Sequence, residues 1–222
     1  MIKAILFDLD ETLLDRSASV ELFLQDQYHR YRLLPLAFEK YRARFMELDE
    51  RGYADKQTVF QTLVADFGLP TSAEELTADF RQNAWKHCRT FSDTRDVLEK
   101  LRSRGYRLGI ITNGSVEMQR AKLIESGLSS LVDVALISEQ EKVKKPDPVI
   151  FARAAERLGV QAAECVFVGD NPTADVAGAH HAGMKAVWLR GYLTWPEDLA
   201  IAPSYIVTTL TELLAIDLEE PV

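Results

Sequence analysis

The sequence has few of the features that mark a secreted or membrane protein. It contains only two cysteines, Cys88 and Cys165, in 222 residues. Cys165 lies in the apolar run CVFVG, which is typical of a buried reduced thiol. No apolar run approaches the length of a membrane span, and the charges of the N-terminal MIKAILFDLD do not follow the order of a signal peptide. These absences predict a cytoplasmic protein without a membrane segment.

The chain also lacks an excess of positive charge. Lysine and arginine number 26 against 34 aspartates and glutamates, which gives a net charge of −8. Such a balance repels the phosphate backbone of nucleic acids and the surface of anionic lipids. We therefore expect no nucleic-acid partner and no membrane partner. The sequence carries no signal for an oligomeric state.

Six short segments are apolar and rich in β-branched residues, as buried strands are. They are residues 2–7, 106–112, 134–138, 165–169, 185–189 and 204–210. Helical patterns that end at Gly105, Gly127 and Gly159 lie between several of them. Strands that alternate with helices pair in parallel through crossover connections. The predicted fold class is therefore α/β, with a Rossmann-like open parallel sheet as its core.

The region between the first two strands has a different pattern. From about Ser19 to Thr90 it shows long helical periodicity, many aromatic residues and no convincing strand. We interpret residues 16–91 as an inserted α-helical cap domain, and residues 1–15 and 92–222 as the α/β core. Most of the aromatic residues are predicted to form the core of this insert. Two neighbouring linkers would make a hinge, and a hinge permits a lid.

Polar residues follow the predicted strands, at the edge where open parallel sheets bind their ligands. In chain order they are Asp8 and Asp10, then Thr112, Asn113 and Gly114, then Ser138 with Lys144 and Lys145 beyond it, then Asp170, Asn171 and Asp175. Asp8 and Asp10 point the same way and lie roughly 6.5 Å apart in an extended chain, which suits separate roles around one ligand.

The residue types in this cluster indicate phosphoryl transfer with magnesium. Three aspartates from two strands, with no histidine or cysteine nearby, make an oxygen site that suits Mg²⁺ better than zinc. A lysine and a threonine would neutralise and hydrogen-bond the other oxygens of a phosphoryl group. Asp175 has two interpretations, an additional acidic residue near the metal or a charge that favours the start of the following helix.

Four motifs in order then resemble one known group, the haloacid dehalogenase-like (HAD) phosphohydrolase superfamily. They are FDLDET at 7–12, IITNG at 110–114, KKPDPVIF at 144–151 and VGDNPTADVAGA at 168–179. They span the core almost end to end, and the helical insert looks like the first type of cap in that superfamily. Glu11 departs from the pattern, because many members carry glycine there.

The resemblance implies a role for each residue. Asp8 would be the nucleophile that forms an aspartyl-phosphate, and Asp10 would protonate the leaving oxygen and then activate water. Thr112 and Asn113 would bind the phosphoryl group. Lys145, rather than Lys144, would neutralise charge on the nucleophile and the phosphate. Mg²⁺ would be held by Asp8, Asp170 and the main-chain carbonyl of Asp10, with Asp175 as an additional candidate.

The implied function is a Mg²⁺-dependent phosphatase whose partner is a small phosphorylated metabolite. A dehalogenase would not need the aspartate at position 10. A phosphomutase of the same superfamily stays open, because it would use the same core residues and differ in its cap. A phosphoacceptor receiver-like signalling domain also combines acidic residues with a threonine and a lysine, but its phosphorylated aspartate follows a middle strand and no helical insert interrupts its fold.

Overall fold

The computed structural model describes residues 1–218. Within them a six-stranded sheet has the order β3-β2-β1-β4-β5-β6, and every neighbouring pair of strands is parallel. The strands are β1 Ala4–Phe7, β2 Arg107–Thr112, β3 Val134–Ile137, β4 Cys165–Gly169, β5 Lys185–Leu189 and β6 Tyr205–Val207. All six predicted strands are present, and the predicted open parallel α/β sheet is confirmed.

The strands are apolar because helices cover the sheet. Every residue of β1 and of β4 is buried, as expected for central strands of a parallel sheet. The helices of this part are α5 Thr94–Ser103, α6 Val116–Glu125, α7 Ser138–Glu141, α8 Pro148–Leu158 and α9 Gly178–His181. Phe151 of α8 meets Phe167 of β4 edge to face, with ring centroids 5.0 Å apart, and this contact ties a crossover helix to the centre of the sheet.

The strand order determines where the functional residues meet. The chain runs from β1 outward through β2 and β3, and then returns to the other side of β1 to form β4. β1 and β4 are therefore adjacent although about 160 residues separate them, and Phe7 pairs with Val168 in their register. Such a switch point opens a crevice at the carboxyl ends of the strands. Asp8 and Asp170 are the residues that follow these two strands.

By its internal contacts the chain divides into two units, a core unit of Met1–Asp15 with the residues from Thr90 on, and a helical unit of Arg16–Arg89. The helical unit contains α1 Arg16–Arg30, α2 Phe38–Asp49, α3 Lys56–Phe67 and α4 Ala73–Asn83. The predicted insert ended at residue 91, two residues later. Thr90 lies in the core unit because it forms an antiparallel bridge with Leu14.

Aromatic side chains form the interior of the helical unit. Phe23, Phe45, Phe60 and Phe80 are buried, and Phe80 contacts each of the other three rings at centroid distances of 5.2, 6.0 and 6.1 Å. Each such ring removes a large apolar area from water. The interpretation of these aromatics as helical core is confirmed. Among residues 1–218, no helix has both the length and the apolar character that a membrane crossing needs.

Candidate active site

Lys145 forms the centre of a buried charge cluster at the carboxyl edge of the sheet. Its Nζ lies 2.5 Å from Asp8 Oδ1 and 2.7 Å from Asp175 Oδ1, and all three residues are buried. Lys144, its neighbour, is exposed. The structure thus brings Lys145 and not Lys144 to the residues that follow β1 and β4.

Asp170 completes a set of three carboxylates. Oxygen atoms of Asp8, Asp170 and Asp175 all lie within 4.8 Å of one another. The main-chain carbonyl of Asp170 accepts a hydrogen bond of 2.9 Å from the Trp188 indole, and Asp175 Oδ2 accepts one of 3.0 Å from the Asn171 amide. Trp188 belongs to β5, so three neighbouring strands hold this set in place.

Gly169, the glycine of the VGDN motif, stands where any larger residue would clash. A Cβ atom built on Gly169 would lie 2.3 Å from Asp175 Oδ2 and 2.5 Å from its Cγ, far inside van der Waals contact. Asp175 is nearly fully buried and belongs to the π-helical turn Pro172–Ala177, which follows β4 after Asp170 and Asn171. The glycine therefore lets the Asp175 carboxylate pack against the end of β4. Asp175 therefore belongs to the carboxylate cluster, in addition to any effect of its charge on the start of the following helix.

Burial makes the negative charges of this cluster costly. Burial, which outweighs the attraction of Lys145, raises the pKa of Asp8 to about 7. Burial, followed by repulsion from Asp8 and Asp175, raises the pKa of Asp170 to about 8. Burial disfavours the charge of Lys145, but the two carboxylates beside it outweigh that effect and raise its pKa above the ordinary value. One lysine does not neutralise three carboxylates.

The residues present fit a divalent cation. Three carboxylates with oxygens within 4.8 Å of one another, and no histidine or cysteine among them, form a hard oxygen donor set of the kind that Mg²⁺ accepts. Mg²⁺ needs few protein ligands, because it keeps several waters. A cation beside Asp8 and Asp170 would also favour their charged forms, against the burial that raises the pKa of both.

These pKa shifts predict how the stability of the metal-free protein depends on pH. Asp170 has a pKa of about 8 in the folded protein against 3.8 for an ordinary aspartate, so the folded state binds a proton that the unfolded chain has released. The free energy of unfolding should therefore fall as pH rises from about 4 to 8. Asp170→Asn removes this ionisation and should stabilise the metal-free protein at pH 8 by ~2 kcal/mol relative to wild type.

Urea unfolding in EDTA at pH 5 and pH 8 measures this effect. The stability gain of Asp170→Asn should be small at pH 5 and larger at pH 8, and added Mg²⁺ should stabilise wild type more than the variant. An equal gain at both pH values would contradict the assignment of the shift to Asp170.

Thr112 and Asn113 follow β2, next to the cluster. Thr112 is buried, and its Oγ1 accepts a hydrogen bond of 2.5 Å from Gln119 Nε2. The side-chain amide of Asn113 donates to the Lys145 carbonyl at 3.0 Å and accepts from the Lys145 amide at 2.9 Å. The Asn113 side chain thus holds the main chain of Lys145, a role that its motif did not reveal. Phosphate binding by Asn113 stays a prediction.

The Asp10 carboxylate is held separately from that cluster. Lys122 Nζ lies 2.7 Å from both of its oxygens, and Gln119 Nε2 donates to Oδ2 at 3.0 Å. Lys122 and Gln119 were not identified from the sequence. Their spacing of three residues on α6 was the available signal, because residues three apart share one face of a helix.

The residue after Asp10 has a backbone conformation that favours glycine. Glu11 has φ +61°, in the left-handed region that favours glycine. A glycine would adopt this conformation without the steric cost that Glu11 has. A cavity of about 630 Å³ opens beside Asp170, and Glu11, Arg190 and Tyr192 are among the residues that line it. Pockets of this size accept small molecules.

The fold and the site together define an α/β enzyme of the hydrolase class with an acidic centre at its switch point. The model of one family, described as haloacid dehalogenase-like hydrolase, matches residues 2–183. The chain belongs to this family, and the resemblance found in its four motifs is confirmed. This membership sets aside the receiver-like alternative.

Three relatives show what the chain is similar to. A glyceraldehyde 3-phosphate phosphatase of Pyrococcus abyssi is 34% identical over 86% of this chain and 82% of its own. The crystal structure of a HAD phosphatase from Thermococcus onnurineus is 34% identical, covers 100% of both chains and has a TM-score of 0.67. A 2-haloacid dehalogenase from Pseudomonas syringae is 28% identical over 97% of both chains, with a TM-score of 0.63. The two phosphatases are more similar to this chain in sequence than this dehalogenase is. The predicted phosphatase class is confirmed.

Proposed function

We propose that this protein hydrolyses phosphate monoesters of small metabolites in a Mg²⁺-dependent reaction, with an aspartyl-phosphate on Asp8 as the intermediate. One observation carries the proposal. A buried carboxylate, Asp8, lies at the switch point of the sheet, with Lys145 Nζ at 2.5 Å and two further carboxylates within 4.8 Å. A carboxylate nucleophile that must approach an anionic phosphate needs cations beside it. Lys145 supplies one positive charge, and the three carboxylates form an oxygen donor set that would hold Mg²⁺ as a second cation.

In the first step an oxygen of the Asp8 carboxylate attacks phosphorus, and the bond from phosphorus to the ester oxygen breaks. Asp10 donates a proton to the departing oxygen, so that a neutral alcohol leaves. In the second step Asp10 takes a proton from water, the water oxygen attacks phosphorus, and the bond between Asp8 and phosphorus breaks. Inorganic phosphate and free Asp8 result.

Lys145 and Thr112 have supporting roles in this scheme. Lys145, already within hydrogen-bond distance of Asp8 and Asp175, compensates the negative charge that the phosphoryl group brings. Thr112 lies at the end of the neighbouring strand β2, where its hydroxyl can donate to a phosphoryl oxygen. The amide of Asn113 keeps the Lys145 main chain in position.

The metal would be held by Asp8, Asp170 and the main-chain carbonyl of Asp10, with Asp175 beside it. When bound, Mg²⁺ supplies positive charge that offsets the repulsion between a carboxylate nucleophile and a phosphate and stabilises the charge of the transition state. The Asp10 carboxylate contacts Lys122 and Gln119 and is not one of the three clustered carboxylates. Its side chain would therefore serve proton transfer, while its main-chain carbonyl would help to hold the metal.

The substrate in this proposal is a small molecule, and the protein acts in the cytoplasm. The cavity of about 630 Å³ beside Asp170 has a volume typical of sites for small molecules, which is consistent with a metabolite as substrate. We propose that the helical insert, predicted as residues 16–91, is the cap domain and selects the substrate. Two buried cysteines without a disulfide, Cys88 and Cys165, support a reducing cytoplasmic setting.

The test is phosphate release from a panel of esters, with Mg²⁺ and with EDTA. The panel contains glyceraldehyde 3-phosphate, phosphoglycolate, a hexose phosphate and a nucleoside monophosphate, and 2-chloropropionate with halide detection represents the dehalogenase reaction. We expect phosphate release that requires Mg²⁺ and no halide release. Halide release, or phosphate release that survives EDTA, would contradict the proposal. Conversion of a hexose 1-phosphate to its 6-phosphate without phosphate release would identify a phosphomutase instead.

A further inference from the structure

Two side chains of α6 surround the carboxylate of Asp10. Lys122 contacts both of its oxygens at 2.7 Å, and Gln119 donates to Oδ2 at 3.0 Å. Both contacts are largely shielded from water, since the Lys122 side chain is 15% exposed and that of Asp10 24%. Three directed contacts leave the carboxylate little freedom to rotate.

Gln119 also links Asp10 to Thr112. The same Nε2 atom that donates to Asp10 lies 2.5 Å from Thr112 Oγ1, and Gln119 is only 2% exposed. One buried amide therefore contacts both the residue proposed for proton transfer and the residue proposed for phosphoryl binding. Their separation is set through a single side chain.

The loop between β2 and α6 is shaped around Gln119. A Cβ atom built on Gly114 would lie 3.0 Å from Gln119 Cγ, and Gly114 has φ +143°, in a region that side chains other than glycine rarely adopt. The glycine of the IITNG motif therefore brings the start of α6 close to the strand end. This close approach places Gln119 between Asp10 and Thr112.

We propose that Gln119 and Lys122 are positioning residues that orient Asp10 toward the leaving oxygen, while Gln119 keeps Thr112 at the matching distance. This inference rests on the proposed phosphatase function. Lys145 serves the nucleophile and Lys122 serves the acid, so each reacting carboxylate has its own lysine. A misplacement of about 1 Å in such an arrangement costs on the order of 10²-fold in rate.

The test compares two phosphate esters that differ in their need for a proton. The leaving group of an alkyl phosphate requires protonation, whereas p-nitrophenolate leaves without it. The ratio kcat/KM reports the steps up to the first irreversible one, transfer of the phosphoryl group to Asp8. Lys122→Met should lower kcat/KM for the alkyl ester by about 10²-fold, mainly through kcat, and for p-nitrophenyl phosphate by less than about 5-fold. Gln119→Leu also removes the contact with Thr112, so it should lower kcat/KM for both esters, and more for the alkyl ester.

Three controls separate positioning from a structural role. Lys122→Arg should recover most of the activity on the alkyl ester, because arginine can contact the same carboxylate. In an Asp10→Asn background, Lys122→Met should have little further effect, because the two residues act as one unit. Arg120→Met serves as the matched control, since Arg120 is exposed on the same helix and contacts Gln140.

The outcomes are distinct. A selective fall for the alkyl ester with recovery in Lys122→Arg supports the inference. For Lys122→Met, confirmed as folded by thermal unfolding, equal falls for both esters, a rise of KM alone, or unchanged rates would overturn it. Wild type without Mg²⁺-dependent phosphate release on any ester would instead overturn the proposed function on which the inference rests.

Discussion

Asp8→Asn is expected to abolish phosphate release while the protein stays folded. Asparagine has nearly the same shape, but its amide oxygen does not form a stable covalent bond to phosphorus, so the first step has no nucleophile. We expect kcat to fall by at least ~10³-fold. Lys145 keeps Asp175 as its partner at 2.7 Å, so no buried charge loses its only counter-ion. Phosphate release under Mg²⁺ and circular dichroism of both proteins provide the measurements.

Asp147→Asn is a matched control for this substitution. Asp147 is the N-cap of α8, where its side chain accepts a hydrogen bond from Val149. Asparagine caps a helix about as well as aspartate. The control therefore makes the same chemical change in the core unit, and its activity should equal that of wild type. Substantial turnover by Asp8→Asn would mean that Asp8 is not the nucleophile.

Lys145→Ala should remove both activity and a large part of the stability. The substitution leaves Asp8 and Asp175 buried without the cation that contacts them at 2.5 and 2.7 Å. Breaking a buried ion pair in this way destabilises a protein by about 3 kcal/mol or more. Since instability alone would lower activity, turnover is compared at a temperature where urea unfolding shows the variant to be folded. We expect at least ~10²-fold lower kcat there.

Lys144→Ala distinguishes this effect from a general loss of positive charge. Lys144 precedes Lys145 directly but is exposed, and an exposed charge contributes little to stability. Stability and turnover of Lys144→Ala should therefore match wild type. If the two variants behaved alike, the buried lysine would have no special role, and the choice of Lys145 within the KKPD motif would be wrong.

Much of the core could be predicted because its signals are local. The apolar segments predicted all six strands of the sheet, and the parallel pairing of the first five follows from the helices between them. The buried aromatics of the helical unit, such as Phe45 and Phe60, were likewise predictable from helical periodicity. The polar residues after β1 and β4 were recognisable because ligands bind where parallel strands end.

Other features depend on contacts between distant parts of the chain. Asn113 was assigned to phosphate, yet its side chain holds the main chain of Lys145, 32 positions further on. Lys122 is 112 positions from Asp10, and nothing in the local pattern of α6 identifies that partner. The place of Thr90 in the core unit depends on a bridge to Leu14, which no helical or strand periodicity reveals.

The sequence by itself determined the fold class, the family and the set of chemical groups that follow the strands. These properties depend on residue type and on spacing along one element, and both can be read directly from the chain. The tertiary structure decided which lysine is buried, which carboxylates share a cluster and which residues hold Asp10. Those choices depend on the register of β1 against β4 and on the approach of α6 to the sheet, because charge interactions change steeply with distance and burial.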